Sequence, residues 1–323
     1  MGFHNVSMFK FSINCVLYPL FAVQYIDIDF TLWLTWALAP VIITFLLPVV
    51  IVLLLYLTSI MLYIYRWHRH RLRDVVGFWD GARKLVAIVW DAHGWIWHGY
   101  EVCGLENIPD DSPALVIYYH GAVPVDVYYF LSKVMLFKNR MVHTVADRFL
   151  FKIPGFSIIA EALKVIPGTV QTCSAVLRDN NLLAISPGGV YEAQFGNSYY
   201  HLQWKGRLGF AKAALDAKAM IIPMFTQNIR ESFRTVGFGR MVWLKIYQWT
   251  RLPIVPIYGG FPVKLKTHVG KPIPYDSALT PEELSLKVAS AVEDLIAKHQ
   301  RIPGSLLRAL VERVYEIPKD KLV

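Results

Sequence analysis

Two short stretches of this chain hold residue types that can move a proton and steady a reacting group. The first is Tyr119-His120-Gly121-Ala122-Val123-Pro124-Val125-Asp126, at the end of the apolar run Ala114–Tyr119. An imidazole titrates near neutrality, so His120 can take a proton from a hydroxyl as a general base. A carboxylate such as Asp126 can hold that ring and offset the positive charge it gains. Gly121 lets a backbone or a substrate come close, and Pro124 bends the connection. The His and the Asp stand six residues apart, which is about 600° around a regular helix. On one helix they would point apart; they meet only if the Gly–Pro turn folds between them. A capping aspartate beside an unrelated loop histidine accounts for the same residues, and spacing alone does not decide.

The second stretch is Ile185-Ser186-Pro187-Gly188-Gly189-Val190-Tyr191-Glu192-Ala193, after the run Leu182–Ile185. Ser-Pro-Gly-Gly makes a tight turn. Adjacent glycines such as Gly188 and Gly189 expose backbone N–H groups that can stabilise an oxyanion or hold a polar head group. Glu192 can position a ligand or cap the helix that follows. Further on, Asn228, Arg230 and Glu231 can serve a ligand or form only a salt-bridged loop. His93 and His98, five apart among Trp95 and Trp97, do not match the i, i+4 spacing of helical metal ligands. They read as part of an aromatic belt, and no metal site is expected.

These groups need elements to carry them. Ala114–Tyr119, Leu182–Ile185 and Met220–Met224 are short apolar runs of the kind that form buried strands. Between them, Val127–Leu136, Gln171–Asp179 and Gly206–Ala217 read as helices, as does Trp79–Trp97 before them. Strand–helix alternation predicts an α/β domain with a mainly parallel sheet flanked by helices. Thr280 and Pro281 open an amphipathic helix over Pro281–Gln300, and Ser305–Glu316 repeats the pattern.

Thr31–Tyr65 is different in kind, with 28 apolar residues and no charge in 35. As one helix it would be about 52 Å long, against a hydrocarbon core of about 30 Å. Either one tilted transmembrane helix occupies about Val41–Tyr65, or Pro40 and Pro48 break the run into a re-entrant hairpin. Arg66, Arg69, Arg71 and Arg73 follow at once, and Asp27 and Asp29 lie on the other flank. The positive-inside rule then puts everything downstream in the cytosol. The expected organisation is an interfacial segment at 1–30, a membrane segment at 31–65 and a catalytic domain at 66–323.

Composition agrees. Apolar residues make up 55% of 323, charged residues 18%, and mean hydropathy is +0.38, which excludes a disordered chain. The net charge of +9 is scattered apart from the arginine cluster beside the apolar run. That favours membrane lipids over nucleic acid as partner. Cys15, Cys103 and Cys173 have no metal or disulfide-framework spacing, which fits a reducing compartment.

Several blocks together resemble a known family. Tyr119-His120-Gly121 with Asp126, the GGxxEA-type block Gly188–Ala193, and Ile222–Glu231 are similar to the motif series of membrane-bound glycerolipid acyltransferases, in the diacylglycerol acyltransferase type-two branch. Trp79–Lys84, Phe151–Phe156, Gly260–Leu265 and Lys298–Gly304 extend the resemblance over most of residues 30–310. It implies that a fatty acyl group passes from acyl-CoA, as co-substrate, to a glycerolipid hydroxyl at the endoplasmic reticulum membrane. For mono- or diacylglycerol the product would be di- or triacylglycerol; ether-linked acceptors stay open. In this reading His120 and Asp126 are catalytic, and Gly121, Gly188, Gly189, Glu192, Asn228 and Arg230 bind substrate. Arg230 and Lys264 are candidates to receive the CoA phosphates. A thioester already carries a good leaving group, so the chemistry calls for no metal, cofactor or acyl-enzyme.

The chain departs from the family in three places. The wider superfamily usually spaces its His and Asp five apart rather than six. Its Phe-Pro-Glu-Gly-Thr-Arg turn is Ser186–Tyr191 here, with Gly188 for the Glu and Tyr191 for the Arg. A guanidinium forks onto phosphate, so its loss argues for a neutral acceptor. The neutral-lipid branch commonly has His-Pro-His-Gly, of which Tyr118-Tyr119-His120-Gly121 keeps the last two. Two other readings stay open: a lysophospholipid acyltransferase with a phosphorylated acceptor, and a catalytically silent lipid-binding membrane protein. A serine hydrolase is disfavoured because no G-x-S-x-G elbow occurs.

Overall fold

The computed structural model describes residues 30–69 and 77–315. Except for Phe30, the segment expected at the interface lies outside the described residues, as do Arg71 and Arg73. Helix α1 runs from Phe30 to His68, 39 residues without a break. Pro40 and Pro48 are both inside it, so neither ends the helix. An apolar helix keeps every backbone bond within itself, and a proline then costs one bond and a bend rather than a second segment. Helix α1 is long and apolar enough to cross a membrane. Backbone contacts divide the chain inside α1, into residues 1–42 and 43–323.

In the second unit α2 (Asp80–His98) ends at Gly99, whose φ of 53° gives the left-handed cap. Then come β1 (Glu101–Cys103), β2 (Ala114–Tyr118), α3 (Val125–Lys138), β3 (Val142–Ala146), α4 (Phe156–Ala162), β4 (Val165–Pro167), α5 (Val170–Arg178), β5 (Leu182–Ile185), α6 (Gly189–Phe195), α7 (Gly209–Asp216) and β6 (Met220–Gln227). After these lie α8 (Ile229–Ser232), β7 (Phe233–Thr235), α9 (Arg240–Thr250), β8 (Ile257–Gly259), β9 (Lys266–Val269), α10 (Pro281–His299) and α11 (Leu306–Val311).

The main sheet has the order β1-β9-β6-β2-β5-β3-β4, and a separate ladder joins β7 to β8. Every pair in the main sheet is parallel except β6 with β9. The three strands legible as apolar runs, β6, β2 and β5, are its centre. There Ala114–Ile117 and Leu182–Ala184 are fully buried, as a strand covered on both faces must be. The cover on one side includes α10, opened by a Thr280–Glu283 capping box with Pro281 in its first turn. Its Leu284, Val288, Val292 and Ile296 are buried at helical spacing.

Candidate active site

Because β6, β2 and β5 are parallel neighbours, their carboxyl ends open on one edge. That edge receives His120 from β2, Ser186–Gly189 from β5 and Asn228–Glu231 from β6. Open α/β sheets place ligands there.

His120 is half-buried on the wall of a large cavity. Its Nδ1 lies 2.6 Å from the carbonyl oxygen of Gly121. A carbonyl can only accept, so in the neutral ring Nδ1 carries the hydrogen and Nε2 keeps its lone pair. Burial pushes the imidazole down to about 4; the Gly121 bond opposes this and the nearby Arg230 adds to it. At neutral pH the ring is therefore uncharged and able to accept a proton.

The expected hydrogen bond from the His120 ring N–H to the Asp126 carboxylate is absent. Asp126 sits in the first turn of α3, 1% exposed, and neither carboxylate oxygen has a hydrogen-bond partner. The Gly121 carbonyl, one residue from the ring, reaches Nδ1 first. Burial pushes the Asp126 carboxyl up to about 7; the Thr226 hydroxyl and the N–H groups of Val127 and Asp126 lie near enough to pull it back in part, though none meets hydrogen-bond geometry. A carboxylate left unpartnered in the interior is an exception that calls for a role.

Gly121, expected to face substrate, faces protein instead: a Cβ there would run into the Ile229 side chain. Gly188 is occupied in the same way, because a Cβ would meet the Oε2 of Glu192 at 2.5 Å. Glu192 is fully buried, and both its oxygens are taken up by protein N–H groups. Its Oε2 accepts from the His120 N–H at 2.9 Å and its Oε1 from the Gln203 N–H at 2.8 Å. It ties the second motif to the histidine strand. Burial raises its pKa, and those two N–H groups oppose the rise. Gly189 does line the cavity, with φ of 51°, and its N–H lies 3.4 Å from the Ser186 hydroxyl.

Arg230 does not reach out for phosphate. It is 5% exposed. Its Nε donates to the Tyr119 hydroxyl at 2.7 Å, and its terminal nitrogens donate to the carbonyls of Ala193, His120 and Glu192. One guanidinium thus joins all three motif blocks. Asn228, with φ of 61°, bonds the Lys264 carbonyl at 3.1 Å, Glu312 at 2.7 Å and Gln300. It fastens β6 to the C-terminal helices and does not line the cavity. Lys264 is paired with Glu101. Neither candidate for the CoA phosphates is free to hold them. A cation inside a motif reads as a ligand group in sequence, yet here the carbonyls that surround it in space claim it. Glu231 is buried with the Tyr200 hydroxyl on Oε2.

The cavity measures about 1070 Å³, at the top of the range for ligand pockets. Its walls are mostly apolar: Val52, Leu55 and Tyr56 of α1, Trp90 of α2, Leu131 of α3, Ile159 of α4 and Tyr247 of α9. Many of the lining residues were not singled out in the sequence, and one of them is a cation close to the Ser-Pro-Gly-Gly turn. Arg207 places Nη1 3.0 Å from the Pro187 carbonyl and 3.2 Å from that of Gly188. The only trace of it in sequence is a basic pair, Lys205 and Arg207, in the loop before α7. Tyr191, at the position where the superfamily carries arginine, packs its ring at a tilt against Phe195 and Tyr247, with the Lys205 ammonium over its face. His93 is bonded to the Tyr129 hydroxyl at 2.8 Å and His98 to the Val263 carbonyl at 3.1 Å. Among the described residues no cluster of three or more His, Cys, Asp or Glu could hold a metal.

Comparison with known proteins places this geometry. The acyltransferase family profile matches residues 99–227, from the end of α2 to the end of β6. The human protein described as "DGAT1/2-independent enzyme synthesizing storage lipids" is 49% identical over 305 residues, 93% of each chain. Its counterpart in Bos taurus is 48% identical over 310 residues, 94% of this chain and 92% of the relative. Among solved structures, the 1-acyl-sn-glycerophosphate acyltransferase PlsC of Thermotoga maritima gives a TM-score of 0.48 at 18% identity. That match covers 74% of this chain and 96% of the other. The long sequence blocks also resemble transmembrane protein 68. With half of its residues shared over nearly its whole length, the chain belongs to the acyltransferase family of these enzymes.

Proposed function

We propose that this acyltransferase moves a fatty acyl group from acyl-CoA to the hydroxyl of a neutral glycerolipid, mono- or diacylglycerol, and so makes storage lipid, as its relatives are named for doing. The observation that carries the reading is a neutral imidazole, Nε2 unoccupied, on the wall of a large apolar cavity that runs against α1. Acyl chains fill such a cavity, and the reacting ester carbon then lies near His120.

Nε2 takes the proton of the acceptor hydroxyl as its oxygen attacks the thioester carbonyl. A C–O bond forms, the C–S bond breaks, and the proton passes from the imidazolium to the departing thiolate. Asp126 opposes the positive charge on the ring as it develops; its free oxygens and burial suit it to that part. The Gly189 N–H and the Arg207 guanidinium, both at the cavity wall, can receive the negative charge of the tetrahedral oxygen. Glu192 and Arg230 act through position, holding the His120 backbone. Arg66 at the C-terminal end of α1, with Arg69 just after it, supports a cytosol-facing domain; the endoplasmic reticulum membrane is the place the family resemblance implies.

One observation favours a second reading. Arg207 restores a cation to the turn where Tyr191 removed one, and a cation there suits a phosphorylated acceptor. Purified full-length protein with labelled acyl-CoA, offered diacylglycerol, monoacylglycerol and lysophosphatidate in parallel, tests both. Acylation of the neutral acceptors with matching release of CoA thiol is expected. Preference for lysophosphatidate would move the assignment to the phosphorylated class. Fatty acid released without any acceptor would make it a hydrolase.

A further inference from the structure

The tyrosines packed round the ends of β2 and β6 do not all use their hydroxyls in the same way. Tyr100 is bonded to Thr267, Tyr119 accepts from Arg230, Tyr129 meets His93, and Tyr200 donates to Glu231. Two others differ. Tyr118 closes β2, and Tyr128 stands near the start of α3. Both line the cavity, and among the described residues neither hydroxyl has a hydrogen-bond partner. Neither oxygen is sealed within protein, so each opens to the cavity. A phenol on an apolar wall gains most by donating to an oxygen that arrives with the ligand.

The place of the two phenols beside the base follows from the elements that carry them. Side chains alternate along an extended strand. Tyr119 turns to Arg230, while Tyr118 and His120 lie together with ring centres 6.1 Å apart. Tyr128 is held against Trp90, ring centres 4.9 Å apart. Burial, and after it the Asp126 carboxylate, raises both phenols, Tyr128 to about 12. Both therefore keep their protons at working pH and act as donors. The same carboxylate repels an anionic group brought into a site of low dielectric. Two neutral donors beside a buried carboxylate suit an uncharged oxygen, and the strongest acceptor of that kind on a neutral glycerolipid is an ester carbonyl.

The geometry points to Tyr118 and Tyr128 as a specificity pair for the acceptor: their hydroxyls donate to the ester carbonyl on the glycerol carbon next to the one whose hydroxyl reacts. This rests on the reading that the reacting hydroxyl lies at His120 Nε2. In 1,2-diacylglycerol and in 2-monoacylglycerol that neighbouring carbon carries an ester. In a 1,2-dialkylglycerol it carries an ether and offers no carbonyl. The pair thus separates acceptors by the linkage at that carbon, whatever chain is attached to the other.

A binding measurement tests it without turnover. A fluorescent diacylglycerol on full-length protein in detergent is displaced by 1,2-diacylglycerol, by 1-alkyl-2-acylglycerol and by 1,2-dialkylglycerol. Wild type stands beside Tyr118→Phe, Tyr128→Phe and the double variant, at matched Tm; phenylalanine keeps the ring and removes only the hydroxyl. Each single variant is expected to bind the two 2-acyl lipids about 3- to 10-fold more weakly, with the dialkyl lipid unchanged. The double variant is expected to bind all three alike. In acyl transfer the same loss should fall on KM rather than kcat. Equal weakening of all three lipids, as a change of cavity shape would give, overturns the inference, and so does no weakening of any. Failure of the broader reading looks different. Diacylglycerol that binds with this ester preference yet is not acylated removes the reaction assigned to His120 and leaves the pair as an ester-binding site. Displacement by no neutral lipid, with lysophosphatidate bound instead, overturns both.

Discussion

Replacing Asp126 with asparagine separates its electrostatic part from its packing. The side chain is 1% exposed, both oxygens are unpartnered, and burial has raised its pKa from 3.8 to about 7. In the unfolded chain the carboxyl ionises near its ordinary value. Between pH 3.8 and 7 the folded protein therefore keeps a proton that the unfolded chain has lost, and stability falls as pH rises through that window. At 1.36 kcal/mol per unit the three-unit difference is at most about 4 kcal/mol. Asparagine keeps the volume and cannot ionise, so Asp126→Asn should abolish this slope. Its own buried amide takes back part of the gain, leaving the variant about 1–3 kcal/mol more stable at pH 8, a rise in Tm of several degrees. Activity should move the other way. Without a carboxylate to oppose the imidazolium, kcat should fall by about 10²–10⁴ with KM little changed. Thermal unfolding in detergent from pH 5 to pH 8, beside acyl transfer, reads both. A variant less stable than wild type at pH 8 would mean that the carboxylate already has a partner. A kcat within about threefold would remove Asp126 from the chemistry.

Other consequences follow from the same contacts. Arg230→Met should destabilise by about 3 kcal/mol or more, because four buried acceptors lose their donor; Arg230→Lys should not rescue it, since an ammonium cannot reproduce the fork. Denaturant titration of the two variants decides this. Gly188→Ala should push Glu192 off the His120 N–H and cost about 1–3 kcal/mol, with kcat reduced; an unchanged Tm and rate would mean that the carboxylate is not fixed there. Acid should weaken the fold. Burial lowers His98 and His268 to about 3, so each is neutral when folded and protonated when unfolded below pH 6.5. Stability is lost as pH falls from there, by about 2 kcal/mol each at pH 5, and replacing both with glutamine should flatten the acid limb of the Tm profile.

The centre of the fold was legible because β6, β2 and β5 are buried on both faces and read as continuous apolar runs. The three-residue strands β1, β4, β7 and β8 carry too little pattern to be read. The antiparallel β9 is set by where the chain returns, which no local signal records. At the site, His120 was legible as a strand-end imidazole. Its bond to Gly121 was not, because spacing does not say which acceptor a ring meets first. Glu192, Asn228 and Arg230 stood out as polar residues in motifs, and ligand and scaffold look alike at that level. What separates them is burial beside carbonyls and N–H groups from distant segments, such as the Ala193, His120 and Glu192 carbonyls around Arg230. The unbroken α1 shows the same limit: prolines mark where a helix bends, and the surroundings decide whether it ends.

The central claim is that the Nε2 of His120 takes the acceptor's proton. The most direct measurement is the rate of transfer from labelled acyl-CoA to diacylglycerol by purified His120→Ala beside wild type, at matched Tm. A loss of about 10²–10⁴ in kcat with the fold intact is predicted. A variant that keeps its rate within a few fold would contradict the account, whatever the acceptor.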